Sequence, residues 1–154
     1  MSEQNIAKSR AIFIETFKSR IANIESRQLP LLALNEFFSG NTEEDSIAPN
    51  QWGYGRPPIS EIWARMRKLE AMPNVAWVRV VLHDDTGFRW DGEFEISGDS
   101  IAICTSAAPK DIERIVDYES LGSESLISEP GFHETYKDCP TIPDGYHVLM
   151  LVWD

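Results

Sequence analysis

At Pro73 the apolar periodicity of this chain changes, and that change limits the fold more than any other feature. Before it, apolar residues recur at the spacing of a helix face buried against a neighbour. After it, Val75, Trp77, Arg79 and Val81 alternate with Ala76, Val78, Val80 and Leu82, which is the period of a strand in a segment rich in β-branched residues. Helices grouped ahead of strands, rather than interleaved with them, predict an α+β domain with a mostly antiparallel sheet.

The helical half resolves into three segments. Ile14, Phe17, Ile21 and Ile24 lie on one face of a helix expected over 5–28. Leu29-Pro30 breaks it, because the residue before proline is disfavoured in the α region, while Pro30 suits the first turn of a second helix over 31–38. Gly40-Asn41 is a left-handed cap, and 42–58 is a long loop, acidic first and then aromatic and glycine-rich. A third helix starts near Pro58 or Ser60, with Ile62, Trp63, Met66 and Leu69 on one face, and stops at Pro73.

Past the strand at 75–82, Asp84-Asp85-Thr86-Gly87 has the composition of a turn. A second strand is expected over 88–96, with Phe88, Trp90, Phe94 and Ile96 on a common face and Gly92 bulging or splitting it. Ser97-Gly98-Asp99 turns into a third strand over 100–105, so the three form an antiparallel meander. A short helix follows Pro109, with Asp111 and Glu113 where the helix dipole favours carboxylates. Segment 122–145 is polar and aperiodic, with three prolines, and reads as a functional flap or as hidden short elements. A fourth strand closes the chain over 146–153. The expected fold is thus a single domain over 1–154, order ααα-βββ-α-β. Its four-stranded sheet and following helix, about 74–154, are packed on one face by a helical layer, about 5–72.

Charge divides at nearly the same place. Residues 1–77 carry as many acids as bases, so the net charge of −11 belongs wholly to residues 78–154. Such a surface repels phosphate backbones and anionic lipid, which argues against nucleic-acid and membrane partners and for a basic protein. No window has the ~20 apolar residues that span a bilayer, and the start of the chain lacks a basic stretch followed by an apolar run, so a cytoplasmic protein is expected. Cys104 and Cys139 do not make a disulfide framework and are read as reduced thiols.

No catalytic constellation emerges. His83-Asp84-Asp85 offers an imidazole and two carboxylates, but neighbours on an extended segment point to opposite faces, and Asp85 belongs to the turn. His133-Glu134 begins like a zincin motif, yet position 137 is Lys137 where a second histidine is required. Cys104 sits in an apolar strand, where a thiol is buried and inert, and Ser106 lacks the glycines of a nucleophile elbow. Gly53 and Gly55 lack both the preceding strand and the third glycine of a nucleotide fingerprint. Catalytic, metal and cofactor sites are therefore not assigned. The candidate binding residues are Trp52, Tyr54 and Arg56, of the types that dominate interface energetics, and a carboxylate patch of Asp84, Asp85, Glu93 and Glu95.

Three fragments carry a family resemblance: Asn35-Glu36-Phe37-Phe38-Ser39-Gly40-Asn41 with Ser46-Ile47, then Thr105-Ser106-Ala107-Ala108-Pro109, then Pro143-Asp144-Gly145-Tyr146-His147-Val148 with Trp153-Asp154. Together they resemble a family of small bacterial proteins of unassigned function. The resemblance implies a single bacterial domain and transfers no site or activity.

Two functional readings follow. The first is a non-catalytic interaction protein whose carboxylates mimic a phosphate backbone, as an immunity-like inhibitor of a basic toxin or nuclease would. The second is a small-molecule-binding or enzymatic domain with a pocket under loops 42–58 and 122–145. Homodimerisation through the N-terminal helix is compatible with either.

Overall fold

The computed structural model describes residues 2–23 and 28–153. Helix α1, Glu3–Ala22, starts at Ser2, whose hydroxyl accepts from the Asn5 amide at 3.2 Å. The helix expected over 5–28 is capped at Asn23; residues 24–27 lie outside the described residues, and Gln28 is not helical. Phe17 is the one fully buried side chain of α1, with Phe13, Ile14 and Ile21 packed at the margin of the same core.

The second predicted helix is divided. Leu32–Ala33 forms a short edge strand, β1, opposite Val80 and Arg79, and α2 occupies only Leu34–Phe38. Tertiary partners decide this. The Leu31 amide donates to the Asp138 carboxylate at 2.8 Å and the Ala33 amide to Glu36 Oε1 at 2.8 Å, so the backbone before Leu34 is held extended. Helix α3, Ile59–Glu70, starts directly after Pro58 and buries Ile59, Ile62, Met66 and Leu69.

The main sheet has five strands, not four, which run across it in the order Leu32–Ala33, Val75–Leu82, Gly98–Thr105, His147–Val152 and Ser125–Ser128, with every pairing antiparallel. Its long central members are β2, Val75–Leu82, and β5, Gly98–Thr105, which pair directly. The segment predicted as the middle strand of a meander is excluded from this sheet. It forms a separate two-stranded hairpin, β3 (Gly87–Phe88) with β4 (Phe94–Glu95). Gly92 splits it, adopting φ +85°, a left-handed conformation that glycine enters without steric cost. Chain order is completed by α4 (Pro109–Val116), β6 (Ser125–Ser128), α5 (Phe132–Thr135) and β7 (His147–Val152). Segment 122–145 therefore conceals an edge strand and a one-turn helix.

Both faces of the sheet are covered, rather than one. Val78, Val80, Leu82, Ile101, Ile103, Leu149 and Leu151 face the layer of α1 to α4. Trp77, Val81, Ala102, Cys104, Val148 and Met150 face Leu31, α5 and the chain leading into β7. A register shift between Val75 and Trp77 places Val75 with the even-numbered residues, which strict alternation assigned to the opposite face. On the second face Trp77 Nε1 donates to Thr141 O at 3.0 Å, and its ring lies 5.9 Å from that of Phe132. Burying such aromatics contributes more than the few polar contacts of this segment, so a mostly polar stretch packs as a lid over half a sheet.

Candidate interaction surface

The hairpin β3–β4 stands off the main sheet, and its bracing begins at its base. Thr86 Oγ1 donates to Ser97 O at 3.1 Å and accepts from Ser97 N at 2.9 Å, while His83 N donates to Ser97 O at 2.7 Å. Further out, Phe88 and Phe94 meet edge to face at 5.2 Å, and Phe94 meets Phe17 of α1 at 6.1 Å. The Lys18 ammonium lies 5.4 Å from the Phe94 ring centre and 5.8 Å from that of Phe88. At the tip, Gly92 N donates to Arg89 O at 3.0 Å and Arg89 N to Glu93 O at 2.7 Å, while Asp91 Oδ1 accepts from Glu93 N at 3.0 Å. A tight turn results. It carries Trp90 with 95 % of its surface exposed, beside Phe88 at 71 %.

By the alternation of the sequence both side chains are put on a common face with Phe94 and Ile96, of which Ile96 is buried. They point outward because the chain turns at Asp91-Gly92, so the period-two count does not run through 88–96. The Asp-Gly pair is itself a hairpin signal in the sequence and was available to find the tip.

The candidate carboxylates divide into two groups. Glu93 and Glu95 both line a cleft of about 250 Å³ between the arm, α1 and the loop after α2, with Arg10, Glu43 and Asp45 on its other walls. Arg89 lies 3.5 Å from Asp91 and 4.0 Å from Glu95, which leaves Glu93 without a cation within ion-pair distance among the described residues. Asp84 and Asp85 sit in the turn at the base of the arm, both exposed. His83 Nδ1 accepts from Asp85 N at 3.0 Å and lies 3.4 Å from the Asp85 carboxylate. Burial, then the negative field of Asp99, Glu129 and Asp84, raises the Tyr136 phenol above its ordinary pKa.

The aromatic loop is placed differently from its sequence reading. Tyr54 is 86 % exposed and Trp52 40 %, but Arg56 is 3 % exposed. Its guanidinium donates to Pro57 O, Ile47 O, Glu44 O and the Glu44 carboxylate, and it stacks 4.4 Å from the centre of the Trp52 ring. Glu44 Oε1 also accepts from Ile59 N at 3.1 Å, placing an anion at the positive end of α3. Arg56 is the internal fastening of the loop and presents no donor to a partner.

Neither cysteine sits in a reactive setting. Burial pushes the Cys104 thiol up to about 11, with the nearby Cys139 adding to it, and burial also raises Cys139, whose Sγ contacts Pro140 O at 3.2 Å. An open trough of about 640 Å³ runs between α5 and the start of β7, lined by His133, Cys139, Tyr146 and His147 among prolines and aliphatic residues. Neither this trough nor the cleft beside the arm is lined by Trp52, Tyr54 or Tyr136. Among the described residues no three His, Cys, Asp or Glu side chains converge as metal ligands do, and no helix is long and apolar enough to cross a membrane.

The fold and this surface define a class: an α+β domain with a two-sided sheet and a braced, acidic, tryptophan-tipped arm. The fragments that carried the family resemblance all serve the fold. Asn41 Nδ2 donates to Phe37 O and Ser46 Oγ, Gly40 takes φ +70° against Arg10, Thr105 Oγ1 donates to Asn74 O, and Gly145 takes φ +81° ahead of β7. Residues 10–151 match the model of the Uncharacterized protein YfbO family, and the chain belongs to that family. Comparison with curated proteins and with solved structures returned no match.

Proposed function

We propose that this protein is a non-catalytic cytoplasmic binding protein whose acidic surface captures a basic protein partner, in the manner of an immunity-type inhibitor. One observation carries the reading: the acidic excess of the second half stays on the outside. Asp84, Asp85, Asp91, Glu93 and Asp99 are all exposed, and Arg89, the base set among them, is spent on Asp91 and Glu95. Exposed carboxylates in such excess over bases steer association with cationic surfaces and repel nucleic acid and anionic lipid. The experiment is capture from cells that carry the gene, at low and moderate salt, beside a Glu93→Lys/Glu95→Lys variant. A basic partner lost on charge reversal supports the reading; recovery of a basic protein unaffected by the reversal, or of none, overturns it.

Two further features favour additional readings. The cleft with Arg10 opposite Glu93 suits a small charged ligand, and equilibrium dialysis against zwitterionic and cationic metabolites tests it. Ile12 on the outer side of α1 is 59 % exposed, which supports self-association through this helix. Sedimentation of wild type and Ile12→Glu tests that, since identical monomeric masses exclude it.

A further inference from the structure

We infer that Trp90 is the anchor by which the β3–β4 arm engages a basic protein partner; this rests on the proposed binding function and assigns its contact point. The fold makes no use of this indole. It is 95 % exposed at the end of a turn, in a chain that buries Trp77 and Trp153 to 5 % each. The arm that holds it is pre-organised by several independent restraints: the Thr86–Ser97 pair at the base, the Phe88–Phe94–Phe17 ring contacts, the Lys18 ammonium over two rings, and Arg89 against Asp91 and Glu95. A rigid aromatic loses little conformational entropy on binding, which is why tryptophan is over-represented among residues that dominate interfaces.

Charge decides what the anchor meets. Arg89 and Asp91 flank it and pair with each other at 3.5 Å, Glu93 follows on the turn with no cation in ion-pair distance among the described residues, and Asp84 and Asp85 lie at the base of the arm, so a lysine or arginine approaching the indole face gains a cation–π contact in a net negative setting. An acidic or phosphate-bearing surface brought to the same place meets a net negative arm whose one cation, Arg89, is already engaged by Asp91 and Glu95. A second copy of this chain, itself acidic, is disfavoured there for the same reason.

The test places the photo-crosslinking residue p-benzoylphenylalanine at position 90, and separately at positions 54 and 115, in full-length protein expressed in cells that carry the gene. Irradiated adducts are identified by mass spectrometry. The expected result is an adduct at position 90 with one basic protein, absent at position 115. With that protein purified, Trp90→Ala should weaken binding by roughly 30-fold or more, and Trp90→Phe by less than about 5-fold. Melting temperature should be unchanged in both variants, because the side chain packs against nothing. A basic partner crosslinked at position 54 and not at 90, or bound equally well by Trp90→Ala, overturns the anchor while leaving the binding function standing. An adduct at 90 with an acidic protein or with a second copy overturns both, as does the absence of an adduct at all three positions.

Discussion

Replacing Arg56 separates a contact residue from a structural one. The guanidinium makes four hydrogen bonds, one of them to the Glu44 carboxylate at 2.8 Å, and its side chain is fully buried. Arg56→Ala leaves the carbonyls of Glu44 and Ile47 without this donor, and each such buried acceptor costs about 1–3 kcal/mol. It also leaves Glu44 without its cation. That second loss is partial, because Glu44 keeps some exposure and still receives the Ile59 amide at the start of α3. Together these place the destabilisation at about 3–5 kcal/mol, the range for breaking a buried pair from one side. For a chain of this size the melting temperature should fall by roughly 6–20 °C. Arg56→Lys restores the charge but not the fork that reaches three carbonyls and a carboxylate, so it should recover less than half of the loss. Glu44→Gln keeps an acceptor for Ile59 N and should cost about 1–2 kcal/mol. Urea unfolding followed by far-ultraviolet circular dichroism, with the Arg56→Ala/Glu44→Gln double variant, measures all of these. The singles should not add, because both act on one pair. An Arg56→Ala variant within about 1 kcal/mol of wild type refutes the fastening role and returns Arg56 to the binding surface.

Further outcomes follow from other positions. Gly122 has φ +70°, and a Cβ there would lie 2.9 Å from the Arg56 backbone nitrogen, so Gly122→Ala should destabilise by about 1–3 kcal/mol in the same urea assay. Phe132 is fully buried under the second face, and Phe132→Ala should cost about 3–5 kcal/mol, whereas an unpacked flap would lose almost nothing. The folded protein holds the Cys104 proton to about pH 11 while the unfolded chain releases it near 9.0, so the unfolded state binds fewer protons between these values and stability falls as pH rises. The difference between wild type and Cys104→Ala should therefore shift by roughly 2–3 kcal/mol across that window and stay flat below it. In native protein at pH 8, a thiol reagent should modify the partly exposed Cys139 well before Cys104, and equal rates would contradict the burial of Cys104.

How far the sequence could be read depended on whether neighbours along the chain were also neighbours in space. Helix α3 and the helix after Pro109 were legible from period and proline alone, because each buries one regular face, and the strand at 75–82 was legible from its density of β-branched residues. The short elements were not. Leu32–Ala33 reads as helix by position after Pro30, yet Asp138 and the edge of β2 claim its backbone groups. Phe132, Tyr136 and Ile142 show no period, because only their distance from Trp77 and Cys104 in the folded state makes them a layer. The carboxylates of the candidate site were legible as charge. That Arg89 engages Glu95 and leaves Glu93 without a cation among the described residues, and that the Trp90 indole is exposed beside them, was not.

What the sequence determined by itself was the order of periodic segments, hence the α+β class, and the placing of all the net negative charge in the half that follows Trp77. Tertiary structure alone decided the direct pairing of β2 with β5, the covering of both faces of the sheet, and the outward aim of Trp90. The physical reason is the same in each case. Periodicity reports that a face is buried, but the partner that buries it, or its absence, is fixed by contacts between residues far apart in the chain.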